Sequence, residues 1–501
     1  MTETPTTETT SRSTLATANP ATGEPVGSWA VDGPEQVAAV VARARRAART
    51  WEDLGFTGRK RALLRWAGRI VADIDEFRAL VSAENGKPLD DAEVEILTAV
   101  EHLAWAAKNA GKVLKTEKVW PGAMLSNHQA VIEHRPHGVV GVIGPWNYPV
   151  YTPNGSIAYA LAAGNTVVFK PSELTTAIGH WYVESFARAN PELPTGILAV
   201  VSGYGDTGRA LVESDVDMIA FTGSTATGKR IAAAAAERLI PVVLECGGKD
   251  AAIVAEDADI VAAADAIAWS AMANSGQTCV GAERCYVVES VLEEFLAELT
   301  KKVADLTPGV GEGASYGPMT LPSQVEVVAR HVKDALAKGA KAVVGGEDSI
   351  RAPFVSPVVL LDAPEDSEAV VEETFGPTLT VRGVRDVDEA IRLANDSRYG
   401  LASSVYSRRN GMAIARRLRA GATSINSPAA YAAIAALPFG GVGESGIGRI
   451  HGPEGLRGFT RTHSIARQKY QLPGMALLSF DRTPETTGLL RKVASLRYRA
   501  K

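Results

Sequence analysis

Between Pro34 and about Lys112, apolar residues recur at three- and four-residue spacing. "PEQVAAVVARARRAARTW" and "RKRALLRWAGRIVADIDEFRALVSAENGK" both carry this stripe, so the spacing predicts amphipathic helices. The pair Asn85–Gly86 marks a helix stop. The middle of the chain has a different rhythm. "HGVVGVIGPWNYP", "NTVVFKPSE", "GILAVVSGYGDTG", "VDMIAFTGSTATGKRIAAAAAE" and "IPVVLECGGKDAAIV" each open on a short β-branched apolar run, break at Gly or Pro, and in several cases continue as helix. Buried strands alternating with helices at roughly 25–30 residue spacing predict parallel βαβ units. The alternation resumes in "RCYVVES" and "LEEFLAELTKKVADL", which points to a second parallel α/β domain. No repeat of solenoid length is present.

The termini differ from this body. Residues 1–15 are polar and Thr-rich and read as a disordered lead-in. The tail ends in "TGLLRKVASLRYRAK", basic and modestly amphipathic. That pattern fits a solvated terminal helix, or peripheral contact with a membrane surface or a partner subunit. No signal for secretion or organelle import is visible, and no apolar run approaches the ~18 residues of a membrane span. The cytoplasm is the expected location.

The formal net charge of −5 removes one class of partner, since no excess of positive charge is available to displace counterions from nucleic acid. Three cysteines cannot form a disulfide framework, and they fit a reducing compartment. Two of them stand in "NSGQTCVGAERC", at Cys279 and Cys285. No metal is expected there: the pair is six residues apart, no CxxC exists, and no histidine lies at ligand spacing. Protease signatures around a cysteine are also absent. Cys285 alternates into a strand and reads as core packing. Cys279 follows a Gly-Gln-Thr turn, where a thiol in a polar, pKa-lowering site becomes a nucleophile. "LECGGK" offers Glu245 as a carboxylate base, and "PWNYP" offers the Asn147 amide to a developing oxyanion.

Two glycine-rich turns compete for a dinucleotide. "GYGDTG", Gly203 to Gly208, has the G-x-G-x-x-G spacing, but Asp215 and Asp217 lie at the start of the next strand rather than at its end. "FTGSTATGK" runs from strand into helix with Gly223 and Ser224 at the turn, where free N–H groups and the positive helix end suit a pyrophosphate.

Taken together, "PWNYP", "FKPSE", "FTGSTATG", "LECGGK", "GQTC", "EETFGP" and "PFGGVGESGIGR" occur in an order that resembles the aldehyde dehydrogenase superfamily, from about Ala18 to His463. The resemblance implies an α/β fold of three parts. A Rossmann-like NAD(P)-binding domain would take residues 16–116 and 137–246, and a catalytic α/β domain 247–445. A bridging β extension with the tail would take 117–136 and 446–501. It implies Cys279 as nucleophile, Asn147 with the Cys279 N–H as oxyanion donors, and Glu245 as the base that hydrolyses a thioester. Lys170, Ser172 and Glu173 would contact the adenosine ribose, and Gly203 would line the adenine region. Trp146, Gly223 and Ser224 would face the pyrophosphate and nicotinamide. Cys246 would face the nicotinamide amide, with Glu373 and Phe375 on its ribose. NAD is the expected cofactor, because Glu173 would repel a 2′-phosphate, with NADP as the alternative. A homodimer or homotetramer is expected.

The sequence departs from the family at three places. Cys246 stands where leucine is common. The tail beyond His463 is long. Ala273 stands where succinate-semialdehyde enzymes carry an arginine, and with Thr152 and Gly155 it predicts a roomy substrate tunnel without a charge anchor. The alternatives are a semialdehyde dehydrogenase of succinate-semialdehyde or CoA-acylating type, a thiol hydrolase without redox chemistry, and a catalytically idle protein that keeps the fold.

Overall fold

A computed structural model describes residues 13–311, 313–471 and 478–498. A hairpin of β1 (Thr14–Ala18) and β2 (Pro25–Ala30) opens the described chain. The expected lead-in therefore ends earlier than residue 15: Leu15 and Thr17 alternate inward and are buried, which holds the strand in register. Its first twelve residues lie outside the described ones.

Four helices follow where the periodicity predicts them: α1 (Pro34–Asp53), α2 (Gly55–Ala72), α3 (Ile74–Asn85) and α4 (Leu89–Val113). Gly86 ends α3 in the left-handed region, at φ 93°, a conformation cheap for a residue without Cβ. Glu84 and Glu95 sit on the buried faces of α3 and α4. The Glu84 carboxylate accepts from the N–H groups of Ala177 and Ile178 at 2.8 and 2.9 Å, at the start of helix Thr176–Ala189. Glu95 accepts from those of Val150 and Tyr151 at 2.8 and 3.1 Å, at the start of α5 (Tyr151–Ala163). An anion at a helix N-terminus satisfies orphan donors and complements the dipole.

After β3 (Glu117–Val119) and β4 (His128–Pro136), the first large sheet is built from β5 (Val139–Ile143), β6 (Thr166–Lys170), β7 (Leu198–Val200), β8 (Met218–Thr222) and β9 (Val242–Glu245). Their order is β9-β8-β5-β6-β7, all parallel. The second sheet takes β10 (Asp250–Val254), β11 (Ala282–Val288), β12 (Lys341–Val344), then, beyond the hairpin β13 (Ile350–Arg351) and β14 (Phe354–Val355), β15 (Val358–Leu361), β16 (Thr378–Val384), β17 (Ala402–Tyr406) and β18 (Ala422–Ile425). It is parallel except for β12. The strands of the first sheet are almost wholly apolar, as in Val139–Ile143 and Met218–Thr222, the pattern of parallel strands buried on both faces.

Two late segments return to earlier parts of the chain. β19 (Gly446–Ile447) pairs antiparallel with β9, placing Gly446 opposite Glu245. β20 (Thr460–Gln468) pairs with β4 over nine residues, and β4 with β3. The basic tail forms a mostly exposed helix, Pro484–Tyr498, with the Arg497 guanidinium 5.0 Å over the Trp120 ring. Among the described residues no helix is long and apolar enough to cross a membrane.

Candidate active site

The loop before Cys279 is folded against local preference. After helix Ile260–Met272, Asn274 and Ser275 take left-handed φ values of 53° and 58°, and Gly276 follows at 67°. L-residues pay for each such conformation, so the surroundings must hold it. Ser275 Oγ donates to the Gly317 carbonyl at 2.6 Å, and Gln277 Oε1 accepts from the Thr320 N–H at 2.9 Å. A Cβ on Gly276 would overlap the Gly376 carbonyl. The chain thus enters β11 with Cys279 at a fixed point.

Asn147 comes to the same point from the loop after β5. Its Nδ2 donates to the Gln277 carbonyl at 2.9 Å, while Asn274 Nδ2 donates to the Asn147 carbonyl at 3.0 Å. The hydroxyls of Tyr148 and Thr278 meet at 3.1 Å. Beneath this loop Lys87 and Glu95 form a buried ion pair. The Lys87 ammonium also donates to the Asn147 carbonyl at 3.0 Å and lies 4.1 Å over the Tyr148 ring. Lys87, Glu95 and Asn274 were not singled out from sequence. Glu95 did leave a trace there, because it falls on the apolar stripe of Ala92, Ile96 and Ala99.

Glu245 ends β9, and the Gly223 N–H donates to its backbone carbonyl at 3.0 Å. Its side chain is buried, and Oε1 has no hydrogen-bond partner. Burial pushes this carboxyl up to about 8, only partly offset by Arg449. Glu245 and Cys279 line one cavity of about 230 Å³. The Cys279 thiol is pushed well above the ordinary thiol range, by burial first and then by Glu245, Glu373 and Asp250. The expected pKa-lowering site is therefore not supplied by the chain alone. The surface that Cys279 leaves open faces this cavity, whose one lining cation among the described residues, Lys87, is already paired with Glu95.

Ala273 and Thr152 line the cavity as expected. Gly155 does not: a Cβ there would press on Ile450 and His451, so its small size serves helix packing. Arg284 is occupied structurally, donating to the carbonyls of Lys249, Leu393 and Ala394. Cys285 is buried in β11, and Cys246 is buried among Phe221, Leu244 and Ile231 with its thiol pushed up to about 11 by burial and by Glu245 and Glu373.

The remaining candidates gather at the carboxyl ends of the first sheet. There the strand order reverses between β5 and β8, the place where open α/β sheets bind ligands. Trp146 follows β5 and meets Phe375 edge-on, with ring centroids 5.5 Å apart. Gly223 and Ser224 follow β8, and the Ser224 hydroxyl caps helix Thr225–Glu237 by accepting from the Thr227 N–H. Cys246 follows β9, its N–H donated to the Ser445 carbonyl at 3.0 Å. Glu373 Oε1 accepts from the Gly248 N–H at 3.0 Å, and burial pushes that carboxyl up to about 8. A Cβ on Gly247 would overlap it.

Lys170, Ser172 and Glu173 form a separate group after β6. Lys170 Nζ lies 3.8 Å from Glu173 Oε2, and the Ser172 hydroxyl donates to the same oxygen at 3.4 Å. Gly203, at φ 153°, sits against Thr207 in the "GYGDTG" turn. That turn leads into a short helix, Gly205–Glu213.

Residues 6–465 match the aldehyde dehydrogenase family. A 4,4'-diapolycopene aldehyde oxidase of Methylomonas is 38% identical over 469 residues, covering 92% of this chain and 87% of that protein. The crystal structure of a Mycobacterium tuberculosis aldehyde dehydrogenase complexed with NAD+ superposes with a TM-score of 0.86 at 34% identity, covering 93% of this chain and 96% of that one. An NADP-dependent glyceraldehyde-3-phosphate dehydrogenase of Bacillus halodurans C-125, complexed with NADP, gives 0.86 at 33% identity, with 91% and 96% covered.

Proposed function

Because this chain belongs to the aldehyde dehydrogenase family and oxidises aldehydes with NAD or NADP, we propose that it does so through a covalent adduct on Cys279 that Glu245 hydrolyses. The observation that carries this is the shared cavity: a thiol and a carboxyl whose Oε1 has no hydrogen-bond partner line one pocket, and the Asn147 amide is tied to the loop two residues before the thiol.

The residues fit a nicotinamide dinucleotide. The first turn of helix Thr225–Glu237 offers N–H groups without intrahelical partners, suited to a pyrophosphate beside Gly223 and Ser224. Lys170 and Glu173 supply a cation and a carboxylate for ribose hydroxyls, with Ser172 between them. Gly203 would border the adenine. Trp146, the Cys246 carbonyl, Glu373 and Phe375 would enclose the nicotinamide end. A carboxylate at Glu173 favours NAD over NADP, because it repels a 2′-phosphate. When bound, a nicotinamide cation would offset the nearby carboxylates and would supply the hydride acceptor that oxidation of the Cys279 adduct to a thioester requires.

Cys279 Sγ gives its proton to solvent water and bonds to the carbonyl carbon, whose π electron pair moves to oxygen. An amide nitrogen carries two hydrogens, and Asn147 spends one on Gln277, so the other serves the oxyanion together with the Cys279 N–H. Ionised Glu245 then takes a proton from water as that water attacks the thioester. The carbon–sulfur bond breaks, giving the carboxylic acid and the free thiol. A general base at this position distinguishes hydrolysis from acyl transfer to CoA.

The first sheet with α1–α5 would form the cofactor half and the second sheet the catalytic half. β20 leaves an exposed edge, which supports assembly through the small sheet into a homodimer or homotetramer. A cytoplasmic location fits a chain that uses nicotinamide cofactors. The test is turnover: full-length protein with NAD or NADP and a panel of aldehydes should form reduced nicotinamide without CoA. Turnover that requires CoA, or none with cofactor bound, would overturn the hydrolytic reading.

A further inference from the structure

The cavity that holds Cys279 continues to the surface along an apolar path. Small side chains keep it wide, the half-buried Ala429 and Ala432 and the exposed Ala433, beside the buried Phe439 and Ile450. At its outer end stand Val94 of α4 and Trp269 of helix Ile260–Met272. These are 62% and 56% exposed and yet line the same cavity. Large apolar side chains held in water are unfavourable in proportion to their exposed area, and an exposed apolar surface continuous with a cavity marks a binding surface. At about 230 Å³ in all, the cavity falls below the 300–1,000 Å³ usual for small-molecule pockets, so a longer ligand must run out past Val94 and Trp269.

Charge narrows the ligand further. Among the described residues lining the cavity, Lys87 is the one cation, and its side chain is 1% exposed. Its ammonium is already held by Glu95 and by the Asn147 carbonyl. Asp91 adds a carboxylate on the face of α4 that also carries Val94, Glu95 and Thr98. A ligand with an anionic far end would meet no free cation and would lose its hydration without compensation.

We propose that this site takes aldehydes with a long, neutral, apolar tail, and that Val94 and Trp269 determine this specificity by covering the tail where it leaves the cavity. The proposal rests on the dehydrogenase reading above. The test is kcat/KM for a straight-chain series from propanal to dodecanal, with succinate semialdehyde alongside, measured on the full chain with NAD or NADP. Efficiency should climb roughly two- to fourfold per methylene through the middle of the series, in line with the free energy of burying a CH₂ group. Succinate semialdehyde should fall at least about tenfold below pentanal, since it leaves a charge unpaired. Trp269→Ala and, separately, Val94→Ser should lower the long-to-short efficiency ratio, about tenfold for the tryptophan. A flat series, a preference for succinate semialdehyde, or an unchanged ratio in both variants would overturn the proposal while leaving the dehydrogenase reading intact. No turnover of any member would overturn that reading, and the proposal with it.

Discussion

The side-chain amide of Asn147 donates to the carbonyl of Gln277 at 2.9 Å, joining residues 130 positions apart in the chain. This bond fastens the loop after β5 to the left-handed turn that carries Cys279. Asn147→Ala should therefore do two things. Under the proposed mechanism it removes an oxyanion donor, which costs about 10²–10³-fold in kcat. It also leaves the buried Gln277 carbonyl with only the longer 3.3 Å bond from Asn274 Nδ2, which costs about 1 kcal/mol of stability. Steady-state kinetics and a denaturant titration read the two effects separately, and a kcat within a few-fold of the parent would remove Asn147 from the oxyanion site.

Glu245 sets a pH dependence. Its carboxyl is held up to about 8 by burial. Below that pH it keeps its proton and cannot accept one from water. As pH rises through about 8 it ionises, so thioester hydrolysis should accelerate across that range and then level off. Stopped-flow measurement of the steady phase after the first turnover follows this step. The rise should vanish in Glu245→Gln, and persistence of the same profile there would assign it to another group.

Cofactor should activate the thiol. Burial and the nearby Glu245, Glu373 and Asp250 carboxyls disfavour the Cys279 thiolate in the chain alone. A cationic ring bound beside them favours it. Alkylation of Cys279 by iodoacetamide near pH 7 should thus become severalfold faster when NAD is added, scored by peptide mass spectrometry. Cys246 and Cys285, both buried, serve as internal references. An unchanged Cys279 rate with NAD bound would mean that the cofactor end lies too far away to act.

The Lys87–Glu95 pair is fully enclosed, so removing one member leaves a charge without its counter-ion. Lys87→Met should lower stability by ~3–5 kcal/mol, seen as an earlier urea midpoint. Activity should fall as well, because Lys87 also holds the Asn147 carbonyl. A midpoint shift near zero would show that Glu95 is compensated by its two helix N–H donors alone.

The first helices and the parallel strands were legible in the sequence for local reasons. A buried parallel strand needs an uninterrupted β-branched run, as in "VVGVI", and an amphipathic helix needs its stripe. The chemical groups Cys279, Glu245 and Asn147 stood out because each occupies a short motif. What spacing could not reveal is which long-range partner each group meets. Glu84 and Glu95 look like surface charges in a helix, yet each receives the N-terminus of another helix more than fifty residues away. The left-handed pair Asn274–Ser275 has no sequence signal of the glycine kind, because contacts with Gly317 and Asn147 impose it. Gly155 looked like a tunnel residue, but α5 turns it toward His451. The thiol's environment was also misjudged: a pKa-lowering site was expected, whereas burial and the carboxyls of Glu245, Glu373 and Asp250 push the thiol up.

The covalent step is open to direct observation. Glu245→Gln protein mixed with NAD and an aldehyde, quenched in acid within the first turnover and weighed intact, should gain the mass of the acyl group. Digestion should place that mass on the peptide bearing Cys279, with one reduced nicotinamide formed per acylated chain. Reduced nicotinamide formed at the same rate with no added mass, or with the mass on Cys246 or Cys285, would contradict a Cys279 thioester released by Glu245.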